Sequence, residues 1–314
     1  ALSILAIFII IYWMIAQHYF EYYYVWNHSD RSLEPKYLLS SIWEGQEGSF
    51  LLWAFWQAVL GLLIMRGSGK WEAPVLAVIS FAQCCLATMI LGVYIFSIKI
   101  GSNPFLLTRQ FYQDLPVFNR ADYLSLPRFQ DGNGLNQLLQ NYWMVIHPPV
   151  LFLGFASTII PFSFAVSGLW KKDFSGWTKA GVPWVLFSAA ILGLGIMMGA
   201  KWAYESLNFG GYWAWDPVEN ASLVPWLVIV AGLHTHVIYN ATGYSLRSTY
   251  LFYLLGFLLV LYSTYLTRSG DLQETSVHAF TDLGMNWQLR IFVFLFLIPS
   301  FVLYFRVLKQ IPTI

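Results

Sequence analysis

Apolar runs long enough to cross a bilayer recur along this chain, and that recurrence leaves few architectures open. A helix needs about 20 consecutive apolar residues to span the hydrocarbon core. Eight candidate spans fall at roughly 2–20, 50–65, 74–98, 149–169, 183–199, 218–240, 249–267 and 288–308. The second is short and could begin inside the loop before it. Lipid offers no partner to an unpaired backbone N–H or C=O, so these runs are read as helices. The expected fold class is all-α, a polytopic transmembrane helix bundle. Only 11% of residues are charged, against about 25% in a soluble domain. An integral membrane protein follows, and no nucleic-acid partner is expected. Cys84 and Cys85 are adjacent within an apolar run and are read as buried packing residues. The chain opens at Ala1 inside an apolar run, so upstream sequence is expected to be missing.

Charge sorts the loops into two sides. Arg66, Lys70, Lys171, Lys172, Lys179, Arg247, Arg306 and Lys309 lie on one side, with only Glu72 and Asp173 opposing them. The other side carries fourteen acids against nine basic residues. By the positive-inside rule the first side is cytoplasmic. The outer side then holds 21–49, 99–148, 200–217 and 268–287. The longest of these is rich in Leu, Trp, Tyr and Phe, so it is expected to be folded, as short surface helices. The chain divides accordingly into N-terminal helices with a first outer loop (1–98), an outer loop region (99–148) and a C-terminal set of helices (149–314).

The least ordinary stretch is NFGGYWAWDPVENASLVPW, Asn208 to Trp226. Asp216, Pro217 and Glu219 have the spacing of a helix N-cap, N1 proline and capping-box acid, so both acids are assigned to starting the sixth helix. Trp202, Trp213 and Trp215 fit either an interfacial aromatic belt or a ligand platform. Gly210 and Gly211 beside them would let backbone approach a ligand closely. His147 directly precedes Pro148-Pro149 and is placed at or just before a helix start. His278 lies in the last outer loop. Outer histidines beside an aromatic shelf suit a flat, apolar, metal-containing ligand such as haem, whose iron takes axial imidazoles. Spacing alone suits simple interfacial polar residues better. His234 and His236 lie inside the sixth span, where an ionisable side chain is a functional candidate. At a spacing of two they point to roughly opposite sides, and His236 is read as an interhelical hydrogen-bonding residue or as emerging at the cytoplasmic interface. His18 and His28, among Tyr19, Tyr22, Tyr23 and Tyr24, are read as part of an aromatic belt.

FGGYWAWDPVENASLVPWL (209–227) resembles the tryptophan-rich "WWD" signature of membrane haem-handling proteins. Its VENAS continuation (218–222) is similar to that of the CcmF family of cytochrome c haem lyases. EGSFLLW (47–53), NPF (103–105), DGNGLNQLLQ (131–140), HPPVLFLGF (147–155), TRSG (267–270) and TSVHAF (275–280) follow in the family order. Phe209 and Tyr212 replace tryptophans of the usual signature, and Gln46 replaces a histidine.

The resemblance implies that His147 and His278 ligate incoming haem at a periplasmic site. Trp202, Gly210, Gly211, Tyr212, Trp213 and Trp215 would form its platform. His234 would hold a haem b within the membrane, whose second ligand lies in the family's C-terminal half. The chain ends at Ile314, so it is read as a fragment or as one half of a split protein with a separate C-terminal CcmF half. The implied activity is a cytochrome c haem lyase of system I maturation. It would promote thioether attachment of haem to the C-x-x-C-H cysteines of apocytochrome c, with no residue standing out as general base. A non-catalytic haem-transfer module and a haem transporter are the alternatives. Implied partners are a haem chaperone resembling CcmE and thiol-handling subunits resembling CcmH and CcmI. The implied location is the bacterial inner membrane, with the WWD loop periplasmic, or an organellar inner membrane.

Overall fold

A computed structural model of the chain describes residues 1–206, 210–272 and 284–312. Among them, seven helices are long and apolar enough to cross a membrane. They comprise α2 (Gln46–Ile64), α3 (Glu72–Met89, preceded by a 3-10 turn), α4 (Tyr142–Ser157) running on into α5 (Ile159–Lys171), α6 (Thr178–Ser206), α7 (Pro217–Thr242), α8 (Leu246–Arg268) and α9 (Asn286–Val307). The first apolar run forms α1, Leu2–Ala16, whose 15 residues fall short of that length. The second span does begin inside its preceding loop, at Gln46.

The third span ends earlier than its hydropathy suggests. Helix α3 stops at Met89, and β1 (Val93–Ile95) pairs antiparallel with β2 (Ile98–Ile100). Gly92, at φ 63°, breaks the helix where L side chains are strained. The β-branched and aromatic residues that follow favour an extended chain. Cys84 is exposed and Cys85 half-buried, so neither is the core residue expected.

The chain divides into two compact units, Ala1–Phe55 with Leu86–Pro149 and Trp56–Cys85 with Val150–Ile314. In the first unit the segments 17–45 and 101–141 fold on each other. The Asn133 N–H donates to the Trp26 carbonyl at 2.7 Å, and the Thr108 N–H to that of Glu21 at 2.8 Å. Trp26 (2% exposed), Phe129 and Tyr123 form an aromatic core. Tyr23 stacks on Phe111 at 3.7 Å. The tyrosine cluster near His28 is therefore not simply a belt. Tyr24 is buried and donates to the Ile42 carbonyl at 2.7 Å, and His28 packs against both Tyr24 and the Glu44 carboxylate. Sequence could not distinguish these cases, because a belt and a small aromatic core have the same composition.

In the second unit α8 is the central element, packed against α5, α7 and α9. Phe162, Phe257 and Phe296, one from each of α5, α8 and α9, meet with ring centroids 5.1 to 5.8 Å apart. Lipid is as apolar as these side chains, so close packing and interhelical hydrogen bonds hold such a bundle. The Trp226 indole donates to the Ala189 carbonyl at 2.8 Å, and Ser188 to that of Ser157 at 2.9 Å.

Candidate functional site

The WWD-like segment sits where α6 ends and α7 begins. Gly210 has φ 66°, and a side chain there would meet open space, so backbone conformation alone accounts for glycine. Tyr212 lies parallel to Tyr204 of α6, with centroids 4.3 Å apart and planes 6° apart. Lys201, one turn earlier, sits over the Tyr204 ring at 5.0 Å and pairs with Glu205 at 3.0 Å. Trp213 and Trp215 meet edge to face at 6.3 Å. Trp202 is half-buried on the last turns of α6.

Trp215 is the strained member. It holds φ 59°, a region a bulky residue rarely occupies, and its side chain is 72% exposed. The local bonds fix it from both sides. Asn220 Nδ2 donates to the Trp215 carbonyl at 3.0 Å, while Glu219 Oε2 accepts from the Ala214 and Asp216 N–H groups at 2.9 and 3.2 Å. Asp216 Oδ1 accepts from the Val218 N–H at 2.7 Å, with Pro217 in the first turn. The two acids therefore start α7 and, through the same bonds, hold an indole out from the protein. Strain supported in this way is a mark of functional segments. Asp216→Ala is expected to destabilise the start of α7 by about 1 kcal/mol. Faster amide hydrogen exchange at Val218 to Asn220 would register it, and unchanged exchange would remove the capping role.

His147 lies inside α4, not at its start. The helix begins at Tyr142, where Asn141 Oδ1 accepts from the Trp143 N–H at 3.0 Å. Pro148 is thereby placed in a helix interior, where its missing N–H leaves the carbonyl four residues back unpaired. That carbonyl is Met144, and the Trp43 indole donates to it at 2.9 Å. The proline-bearing turn that carries the half-buried His147 is thus supported by a contact spanning 101 residues of sequence, which no local pattern reveals. Trp43→Phe is expected to cost about 2 kcal/mol, because Met144 is buried and its carbonyl would lose its donor. A lower midpoint of thermal unfolding in detergent tests it.

The two histidines of α7 face different surroundings. His236 is fully buried, its Nδ1 2.8 Å from the Tyr253 hydroxyl of α8 and its ring packed near Trp177. It is an interhelical hydrogen-bonding residue. His234 is exposed on α7, with Nδ1 2.8 Å from the Val230 carbonyl of its own helix. The structure thus joins Trp202, Gly210, Gly211, Tyr212, Trp213, Trp215, Asp216 and Glu219 in one segment of the second unit, while His147 belongs to the first. His278 and Phe209 lie outside the described residues. Among the described residues no three His, Cys, Asp or Glu side chains converge as metal ligands.

Residues 43–272 match the model of the cytochrome c assembly protein family, a match that takes in the Gly210–Trp226 segment and both His147 and His234. The chain belongs to that family. Cytochrome c-type biogenesis protein CcmF of Haemophilus influenzae is 35% identical over 281 residues, covering 88% of this chain and 39% of its own length. CcmF of Pseudomonas aeruginosa is 35% identical over 276 residues, covering 86% of this chain and 38% of its own. A solved structure described as cytochrome c heme lyase CcmF superposes with a TM-score of 0.73 at 28% identity. It covers 97% of this chain and 44% of the solved one. The chain therefore spans about two fifths of the length of these relatives.

Proposed function

We propose that this chain is the haem-receiving part of a cytochrome c haem lyase. The observation that carries the reading is the Tyr212–Trp215 shelf, which α6 and the α7 cap hold outward on the segment inside the family match. Water is a poor neighbour for Trp215 and for Tyr212, which is 53% exposed. A planar macrocycle would cover both. The donor set suits haem as well. Among the described residues the Trp213 Nε1 is buried without a hydrogen-bond partner, and histidine is the ordinary axial ligand of haem iron.

On this reading haem is the substrate. His147 and His278 hold its iron at the outer, periplasmic face, and Trp202, Tyr212, Trp213 and Trp215 bear on the porphyrin plane and orient its vinyl groups. Each cysteine of the apocytochrome C-x-x-C-H adds across one vinyl group, sulfur to one carbon and hydrogen to the other, with no net oxidation. The chain contributes position rather than acid–base chemistry. The apocytochrome histidine then displaces an axial histidine of the enzyme, which releases the product. His234 is proposed as one ligand of a resident haem b, which when bound would supply electrons that keep the substrate iron reduced. Its exposure on α7 suits a ligand completed from a C-terminal CcmF half. Partners resembling CcmE, CcmH and CcmI, and a place in the bacterial inner membrane, belong to the same proposal.

The test is reconstitution of the purified protein, with its C-terminal counterpart, in the presence of a haem donor and apocytochrome c. Covalent haem that survives acid–acetone extraction supports a lyase. Haem that transfers but remains extractable would reduce the chain to a carrier. Uptake into sealed vesicles without attachment would make it a transporter. Reduced-minus-oxidised spectra of His147→Ala, His278→Ala and His234→Ala then assign the sites. An unchanged haem b signal in His234→Ala would remove the membrane ligand.

A further inference from the structure

The β1–β2 hairpin has no role in the site, and, like the tryptophan-rich segment, it displays apolar surface outside the membrane-length helices. Its register pairs Val93 with Ile100, Tyr94 with Lys99, and Ile95 with Ile98. Directly paired residues project to the same face, and neighbours along a strand to opposite faces. One face is therefore wholly aliphatic, made of Val93, Ile95, Ile98 and Ile100. The other carries Tyr94 and Lys99. Val93, Ile95 and Ile98 are 38%, 50% and 54% exposed, and Phe96 at the turn is 97% exposed. The lipid-length helices expose residues to the same degree, such as Leu62 at 51% on α2 and Leu194 at 48% on α6. In the segment that follows, Tyr123 and Phe129 are covered at 5% and 6% exposure, while single aliphatic residues such as Leu115 at 48% and Leu138 at 56% remain exposed.

The root of the hairpin is fixed at the ends of two membrane-length helices. It starts within a few residues of the α3 C-terminus. The Ser102 N–H donates to the Met89 carbonyl at 2.9 Å, and Ser102 Oγ to Glu47 Oε1 in the first turn of α2 at 2.5 Å. The end of one span and the start of another thus anchor it at one level, opposite the Lys70 end of α3. A cross-strand turn with positive φ at both central residues is normally given to Asn and Gly. Here Phe96 and Ser97 hold φ 47° and 70°. A phenylalanine kept in a conformation that disfavours it points to a use for its ring.

We infer that this hairpin is a membrane-interface anchor, lying against the lipid of the outer leaflet with Val93, Ile95, Ile98 and Phe96 in the acyl-chain boundary. Tyr94 and Lys99 face the headgroups, where an amphipathic ring and a long cationic side chain are best placed. The occupant of the aliphatic face is lipid because that face is continuous with the end of a membrane-crossing helix. Its side chains are aliphatic, with no polar group to orient a protein partner. The anchor would hold the α3 end and the outer segment beyond it at a fixed height above the bilayer.

Spin labels placed one at a time at Ile95 and Tyr94, on a Cys84→Ala, Cys85→Ala background in lipid nanodiscs, test the orientation. Gln113, exposed in the outer segment, is the aqueous reference. The label at 95 is expected to meet oxygen in preference to a water-soluble nickel relaxant, several-fold more than the label at 113, with position 94 intermediate. Ile98→Cys, on the same face, repeats the measurement should Ile95→Cys disturb the hairpin. Nickel accessibility at 95 and 98 equal to that at 113 would place the hairpin in water and overturn the anchor. Labels immobilised and screened from both relaxants would overturn it in favour of a protein partner or a second copy.

Discussion

Gly48→Ala is expected to unfold the junction between the segment 17–45 and α2. Gly48 lies in the opening turns of α2, where alanine would ordinarily favour the helix by up to about 1 kcal/mol. The packing opposes this far more strongly. A Cβ at position 48 would overlap the Ile42 carbonyl oxygen and the Tyr24 hydroxyl, and would lie 2.7 Å from the Ile42 carbonyl carbon. The obstacle is backbone, which cannot rotate away. The displaced group is also an acceptor in use, since the Tyr24 hydroxyl donates to the Ile42 carbonyl at 2.7 Å. Relief therefore requires moving the 40–45 turn and breaking a buried hydrogen bond together. The cost should reach about 3 kcal/mol or more, at the upper end for overpacking. A lowered unfolding midpoint and early proteolysis within 21–44 would record it. Gly61→Ala on the same helix is the control. Its Cβ would meet Ile79 Cγ2 at 3.9 Å, an ordinary contact, so stability should hold or rise. Equal behaviour of the two variants would sink the close-approach account.

His147→Ala should abolish covalent haem attachment while leaving the protein folded. Alanine suits the helix interior at which His147 stands, and the Trp43–Met144 bond that supports this stretch does not involve the imidazole. On the proposed function what is lost is an axial ligand, and a porphyrin held by one histidine and an aromatic shelf would be poorly fixed. Holocytochrome c formation should fall to the level of cells lacking the protein, with thermal unfolding little changed. Imidazole added to the medium should restore part of the activity, since it supplies the missing nitrogen. A merely structural histidine would show no such rescue. Wild-type attachment by His147→Ala would remove it from the ligand set.

Local patterns were legible where the physics is local. The lengths of seven of the eight apolar runs gave membrane-length helices, because span length is set by bilayer thickness and not by neighbours, while the first run formed the shorter α1. Asp216, Pro217 and Glu219 gave the start of α7, because a capping box closes its bonds within three residues. The WWD-like and HPP motifs led to the family because they are fixed short words, and residues 43–272 match its model. The end of the third span was missed because mean hydropathy is blind to the difference between an apolar helix and an apolar hairpin.

The sequence by itself determined that this chain crosses a membrane several times, which helix the tryptophan-rich segment opens, and which family it joins. Only the tertiary structure decided that Trp43 makes a proline-bearing helix tolerable beneath His147, that Tyr24 and Trp26 are core, and that His236 turns inward to Tyr253 while His234 turns out. The reason is that each of these depends on a partner far away in sequence. A helical wheel gives the angle between two histidines on α7, but only the neighbouring α8 fixes which of the two faces protein.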